Sequence, residues 1–220
     1  MTPRLAFLLA AAALGACARQ TPPNASVPAT ARTSQATTET GVAEEHHAHM
    51  MPGMAPVEVP DNALFTAADV HFMQGMIAHH AQAVHMTRLA EAAGAGPRVL
   101  KLAQKIDLSQ AGEIALMQGW LRDHRQFAPD TSAWRTMSMP GMLTPDELTR
   151  LEAARGTDFD RLFLRLMIKH HEGAIKMVAD LMATPRAAQD VDVSVLANDV
   201  ENTQLAEIGL MWQMLAELDQ

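Results

Sequence analysis

One pattern occurs twice in this chain and limits its fold more than any other feature. Asp69, Phe72, Met76, His79, His80, Ala83 and Met86 return in the same order and spacing as Asp160, Phe163, Met167, His170, His171, Ala174 and Met177, 91 residues later. Gln110, Glu113, Ile114 and Met117 return as Gln204, Glu207, Ile208 and Met211, 94 residues later, so the three extra positions fall in a connection between elements. Spacings of three, four and seven residues mark one face of a helix. Each copy is therefore a pair of helices with one apolar face, and two such hairpins bury those faces most simply against each other. The expected fold is all-α, a four-helix bundle of two repeated helical hairpins over about residues 66–125 and 157–218 within a domain spanning 61–220.

Start and stop signals place the helices. Phe65-Thr66-Ala67-Ala68-Asp69 supplies a capping threonine with an acid three residues on, which predicts a helix from near Ala67 to about Ala93, where Gly94-Ala95-Gly96-Pro97 stops it. A second helix follows from about Arg98 to Arg125. Thr144-Pro145-Asp146-Glu147 predicts a short helix that Gly156 ends. A long helix from about Phe159 to Ala183 is broken by Pro185, and the last runs from about Val191 to Leu218.

Helical geometry then says where the unusual side chains point. At about 100° per residue, Met76, His79, His80 and Met86 fall with Phe72 and Ala83 inside an arc of roughly 120°, the core-facing stripe. His85 falls opposite and is expected in solvent, as is Lys176 in the second copy. Buried imidazoles need partners. Glu113 and Glu207 are the candidates, either orienting the rings through their second nitrogens or ligating a metal directly. Two explanations stay open for the paired histidines: a metal shared by both repeats, or histidines and glutamates that satisfy one another across the bundle. Met117, Met211 and Met214, taken singly, read as gap-filling core residues.

Composition narrows the function. Lys and Arg total 17 against 25 Asp and Glu, a net charge of −8, and no basic stripe offsets it, which argues against a partner bound through nucleic-acid phosphates. A single cysteine leaves no intrachain disulfide and no thiolate zinc site. Sixteen methionines and ten histidines, with no tyrosine, point instead to soft or borderline metals.

The first 16 residues read as an export signal: Met-Thr-Pro-Arg, then an apolar stretch too short to span a bilayer. Leu14-Gly15-Ala16-Cys17 resembles the lipobox of bacterial lipoproteins, which makes Cys17 the lipidated first residue of the mature chain and the membrane a partner through that anchor. Ala18, in place of aspartate, resembles a signal for sorting to the outer membrane, so the expected location is the cell envelope, facing the periplasm. Residues 17–60 are rich in Ala, Thr, Pro and Ser and read as a disordered tether. Within it His46, His47, His49, Met50, Met51 and Met54 crowd into nine positions. Such a cluster can wrap a metal without a fold, or it is compositional drift in a tail.

The segments MIAHHAQAVHM and MIKHHEGAIKM, with MPGM between them and a Gln-x-x-Glu-Ile-x-x-Met run after each, resemble the domain-of-unknown-function-305 family of exported bacterial proteins. The resemblance covers about Asp61 to Leu218. It implies a ferritin-like bundle and a periplasmic copper-binding protein with Met and His ligands. Carried over by position, those ligands are Met76, His79, His80 and Met86, then Met167, His170, His171 and Met177, with Met137, Met139 and Met142 from the loop. The Glu-x-x-His spacing of ferritin di-iron sites is found only at Glu44 to His47, outside every predicted helix, so a ferroxidase centre is not expected. The reading is a lipid-anchored protein that binds copper, Cu(I) ahead of Cu(II) and other transition metals, for sequestration, tolerance or delivery to a copper-handling partner. The alternatives are a ferritin-like metal oxidase and a metal-free structural lipoprotein.

Overall fold

The computed structural model describes residues 57–219, so Cys17 and its export signal, and His46, His47, His49, Met50, Met51 and Met54, lie outside the described residues. Five helices follow in order: α1 (Ala67–Ala92), α2 (Pro97–Asp123), α3 (Pro145–Ala153), α4 (Gly156–Ala183) and α5 (Val191–Leu218), with a short 3-10 turn at Ala133–Arg135 between α2 and α3. No strand occurs among the described residues. No helix there is long and apolar enough to cross a membrane.

The caps expected from sequence form. Thr66 accepts the backbone N–H of Asp69, whose carboxylate accepts the Thr66 N–H in return. Thr144 and Glu147 repeat the arrangement at the start of α3, with Pro145 as its first residue. Gly156 departs from expectation. It does not end α3, which stops at Ala153, but opens α4, with φ at +53° and its N–H donated to the Ala93 carbonyl at the end of α1. A left-handed backbone there costs glycine nothing, and it turns the chain from one helix straight into the next.

Helix α1 packs on α2, α4 on α5, and the two hairpins meet where α1 crosses α4. Helices α2 and α5 are tied along their length by Arg98–Glu217, by Lys105–Glu207, and by the Trp120 indole N–H on the Asp190 carboxylate. The aspartates that open each histidine helix serve the opposite repeat. Asp69 accepts the N–H of Ala188 at 2.7 Å, in the α4–α5 connection, and Asp160 accepts that of Gly96 at 3.1 Å, in the α1–α2 connection. These two bonds relate the hairpins by an approximate twofold axis. It runs through the α1–α4 crossing, where His79 and His170 meet.

The apolar core comes in two separate parts. One gathers Met86, Met167, Met211 and Met214 with Phe159, Phe163 and Ile106. The other gathers Met76, Met117, Phe65, Phe72 and Trp120, with Met177 against it. The loop that carries Met137, Met139 and Met142 forms a third, small cluster with Ala78, also touched by Met177.

Candidate metal centre

Between the two halves of the core lies a polar layer. His79, His80, His170 and His171 are all fully buried. Each belongs to a helix whose stripe points it inward, and the crossing of α1 with α4 brings the His79 and His170 rings to 3.8 Å between centroids, tilted 42°. His80 Nε2 donates to Glu113 Oε2 of α2 at 2.6 Å, and His171 Nε2 donates to Glu207 Oε2 of α5 at 2.9 Å. His79 Nε2 donates to the Pro140 carbonyl of the loop at 3.0 Å.

These partners decide the tautomers. A carbonyl or a carboxylate only accepts, so the ring nitrogen facing it carries the proton. Burial pushes His79 down to about 3, aided by the charges that His80 and His171 would carry and opposed by the Pro140 carbonyl. Burial likewise lowers His171, against the pull of Glu207, and lowers His170 well below the ordinary histidine range, reinforced by His79. The His79 and His171 rings are therefore neutral, with the proton on Nε2 and a bare lone pair on Nδ1. His80 turns Nε2 to Glu113 and Nδ1 away from it in the same manner. None of these Nδ1 atoms has a hydrogen-bond partner, nor does either ring nitrogen of His170. Burial alone would raise the Glu113 carboxyl, but the hydrogen bonds from His80 and Ser109 hold it below the usual range.

Buried lone pairs without donors are costly unless something positive meets them. Imidazole lone pairs backed by carboxylates through the opposite nitrogen are the arrangement metal-ligating histidines adopt. The residues present thus suit a soft or borderline cation. Among the described residues no three His, Cys, Asp or Glu side chains form a ready-made ligand group, so a metal here needs ring rotation or sulphur as well.

Sulphur is at hand, but not grouped as the stripe predicts. Met76, Met86 and Met167 are fully buried, whereas Met177 is only half-buried. Met76 and Met86 share a helix face yet lie in different halves of the core. Met86 instead joins Met167, and Met76 lies in the half of the core that Met177 borders. The crossing of α1 and α4 thus puts Met86 and Met167 in one half of the core and Met76 in the other, with Met177 at the edge of that half. Met137, Met139 and Met142 are buried in the loop. His85 is not simply solvated: it stacks on Trp134 at 4.9 Å and faces Glu152 at 3.2 Å, outside the layer. Lys176 is exposed as expected, paired with Asp180.

Three groups of residues matter here beyond the candidate ligands and glutamates. Gln110 and Gln204 sit one turn before Glu113 and Glu207, buried, with all four amide heteroatoms unpartnered, which extends the polar layer onto α2 and α5. Gln82 grips the loop, donating to the Leu143 carbonyl at 3.2 Å and accepting the Leu143 N–H at 2.6 Å. Gly141 and Gly173 let the loop's backbone lie on α4: a Cβ on Gly173 would stand 2.0 Å from the Pro140 oxygen and 2.5 Å from the Gly141 Cα. Glycines inside long helices were the available signal, since each costs about 1 kcal/mol relative to alanine unless close approach requires it.

The comparisons with known proteins agree with this architecture. No curated protein matches the chain. Among solved structures, a DUF305 protein from Streptomyces coelicolor is 30% identical, with TM-score 0.62 over 69% of this chain and 94% of that one. A DUF305 fragment from Deinococcus radiodurans is 32% identical, with TM-score 0.59 over 70% of this chain and 98% of that one. CopM in its Cu(I)-bound form is 29% identical, with TM-score 0.54 over 68% of this chain and 96% of that one; it is also solved in Cu(II)-bound, Ag-bound and apo forms. The sequence pattern described as Domain of unknown function (DUF305) matches residues 69–215, and the chain belongs to that family.

Proposed function

We propose that this protein is an exported, lipid-anchored copper binder that holds Cu(I) in preference to Cu(II), for sequestration, tolerance or delivery. The observation that carries the reading is the fully buried layer of four imidazoles whose Nδ1 atoms have no hydrogen-bond partner. Imidazole suits both oxidation states and thioether selects the cuprous one, so the methionines buried in both halves of the core favour Cu(I). CopM, a relative of the same fold, is solved with Cu(I), Cu(II) and Ag. His79, His80, His170 and His171 are the nitrogen ligands in this reading, Glu113 and Glu207 set their orientation, and Met76, Met86, Met167 and Met177 supply sulphur. The His46–Met54 segment binds separately, and Cys17 anchors the chain in the envelope.

The test is elemental analysis of the protein with a competitive Cu(I) titration. Replacing His79, His80, His170 and His171 with Ala is expected to remove the bundle's copper, and deleting Glu44 to Met54 to lower the stoichiometry without abolishing it. If the quadruple variant stays helical and holds as much Cu(I) as the parent, the histidine layer is structural and the reading fails. Oxygen consumption driven by Cu(I) would move the protein into the metal-oxidase class. For Cys17→Ser, loss of membrane fractionation is expected.

A further inference from the structure

We propose that the outward face of α2 and α5 is the docking surface for a second copy of this chain. Surface helices ordinarily turn charged and polar residues outward. These two turn out apolar ones as well. Of the eleven large apolar side chains left exposed among the described residues, seven lie on α2 and α5, led by Leu108 at 79%, Val191 at 72% and Leu116 at 66%. Val195, Leu205 and Trp212 are each more than half exposed. The ion pairs of Arg98 with Glu217 and of Lys105 with Glu207 hold the two helices antiparallel and side by side, so their outward sides form one face. Apolar exposure concentrated in this way marks an interaction site.

Glycine picks out the same face. Inside the long helices, Gly75 makes room for Met139, whose Sδ lies 3.2 Å from where a Cβ would stand, and Gly173 makes room for Pro140. The other three are Gly112 and Gly119 of α2 and Gly209 of α5, and no neighbour lies within 4 Å of the same point on any of them. Nothing in their own chain accounts for the cost of a helical glycine. Leu108 and Leu116 stand one turn to either side of Gly112, as Leu205 and Trp212 do about Gly209. Each helix thus sets large side chains around bare backbone, a relief into which the ridge of another helix fits.

Charge says which helix that is. Helix α5 carries Asp192, Asp199, Glu201, Glu207 and Glu217 with no lysine or arginine, whereas α2 carries Arg98, Lys101, Lys105 and Arg122. Among the described residues Lys101, Arg122, Asp192 and Asp199 have no partner of opposite charge for their side chains. The complement of such a face is the same face turned about an axis parallel to the helices, which lays α2 of each copy on α5 of the other. An axis across the helices would set α5 on α5, acid against acid. The levels fixed by Lys105 and Glu207 bring Leu108 against Leu205 of the second copy, Leu116 against Val195, and Arg122 within reach of Asp192. Two helices about 40 Å long and about 10 Å apart offer about 800 Å² per copy, the size of a stable interface.

The experiment is sedimentation of the metal-free full chain over a range of concentrations, which makes it independent of what the histidine layer holds. A dimer is expected by about 100 µM, since faces of this size hold at micromolar strength or better. Leu108→Glu combined with Trp212→Glu is expected to weaken association at least 100-fold while the chain stays helical. Gly112→Leu fills a position that is open in the single chain, so it should weaken association about tenfold while the thermal midpoint of the single chain holds or rises. Arg122→Glu should weaken it, and adding Asp192→Lys to that variant should restore it. A parent that sediments as a single chain at about 100 µM overturns the proposal and leaves the face to a different partner. Association that survives both the Leu108→Glu, Trp212→Glu variant and Gly112→Leu overturns it as well, because the copies then meet elsewhere.

Discussion

His80 and His171 occupy matching positions, donate to matching glutamates and are equally buried, whereas Gln82 and Gly173, also matching positions, act on one loop in opposite ways. Gln82 takes hold of Leu143 with both ends of its amide, and Gly173 removes its own Cβ so that Pro140 and Gly141 can lie against α4. What the two hairpins share lies on the axis between them; what they do not share answers to a segment the chain contains once. A symmetric frame can seat an asymmetric loop only if equivalent positions diverge, one to grip and one to clear. The same logic separates Gly75 from Leu166.

The largest effect should come from making the halves alike at the loop. Gly173→Gln places a Cβ against backbone atoms of Pro140 and Gly141, neither of which can yield without moving the turn. A loss of about 3 kcal/mol in urea unfolding is expected, with loss of the Nε2–H tautomer of His79 in ¹⁵N spectra as Pro140 withdraws. A variant with parent stability and tautomer would show that the loop is not seated on α4.

Next come the paired glutamates. Glu207→Ala leaves His171 with a buried donor unmet, and also strips Lys105 of its partner, for an expected cost of about 3 kcal/mol. Glu113→Ala is expected to cost about 2 kcal/mol, because the Glu113 side chain is 15% exposed against 3% for Glu207 and water can take its place. Equal costs would mean that the two halves are balanced more closely than their burial suggests.

A smaller and graded effect is expected from pH on the metal-free protein. His79, His170 and His171 have lowered values in the folded chain, so the unfolded chain takes up protons first as pH falls below the ordinary value of 6.5. Stability is therefore full above that value and declines from there toward about 3, where His79 titrates. The slope is about 1.4 kcal/mol per pH unit for each such histidine. Denaturant midpoints that do not change between neutral and mildly acid buffer would contradict neutral rings at His79, His170 and His171. The smallest effect belongs to His85, on the other face of α1: His85→Ala is expected to change stability by about 0.5 kcal/mol or less and copper stoichiometry not at all.

The repeat made the bundle legible, because a doubled helical pattern with doubled caps leaves few other ways to bury its apolar faces. It also made the buried histidines and their glutamate partners legible, since both follow from which residues share a helix face. Two things were hidden. Met76 and Met86 look like one set on a helical wheel, but the crossing of two helices puts them in different halves of the core. Gln82 and Gly75 answer to a loop some 60 residues further on, and Gly173 of α4 to the same loop some 30 residues back, and no local period reports such contacts. Gly156 misled for a related reason: glycine after a helix is a stop signal unless the next helix begins at once.

The division of the core by its polar layer has a kinetic consequence. Each apolar half holds its own cluster of buried side chains, and the histidines between them have no exposed surface. On the copper reading, an ion would reach such a layer when one half opens while the other stays packed, a sub-global excursion that costs less than unfolding the whole domain. The rate of uptake by the layer would then saturate as metal concentration rises, limited by how often that half breathes, and the amides of the slower half would remain protected from hydrogen exchange throughout.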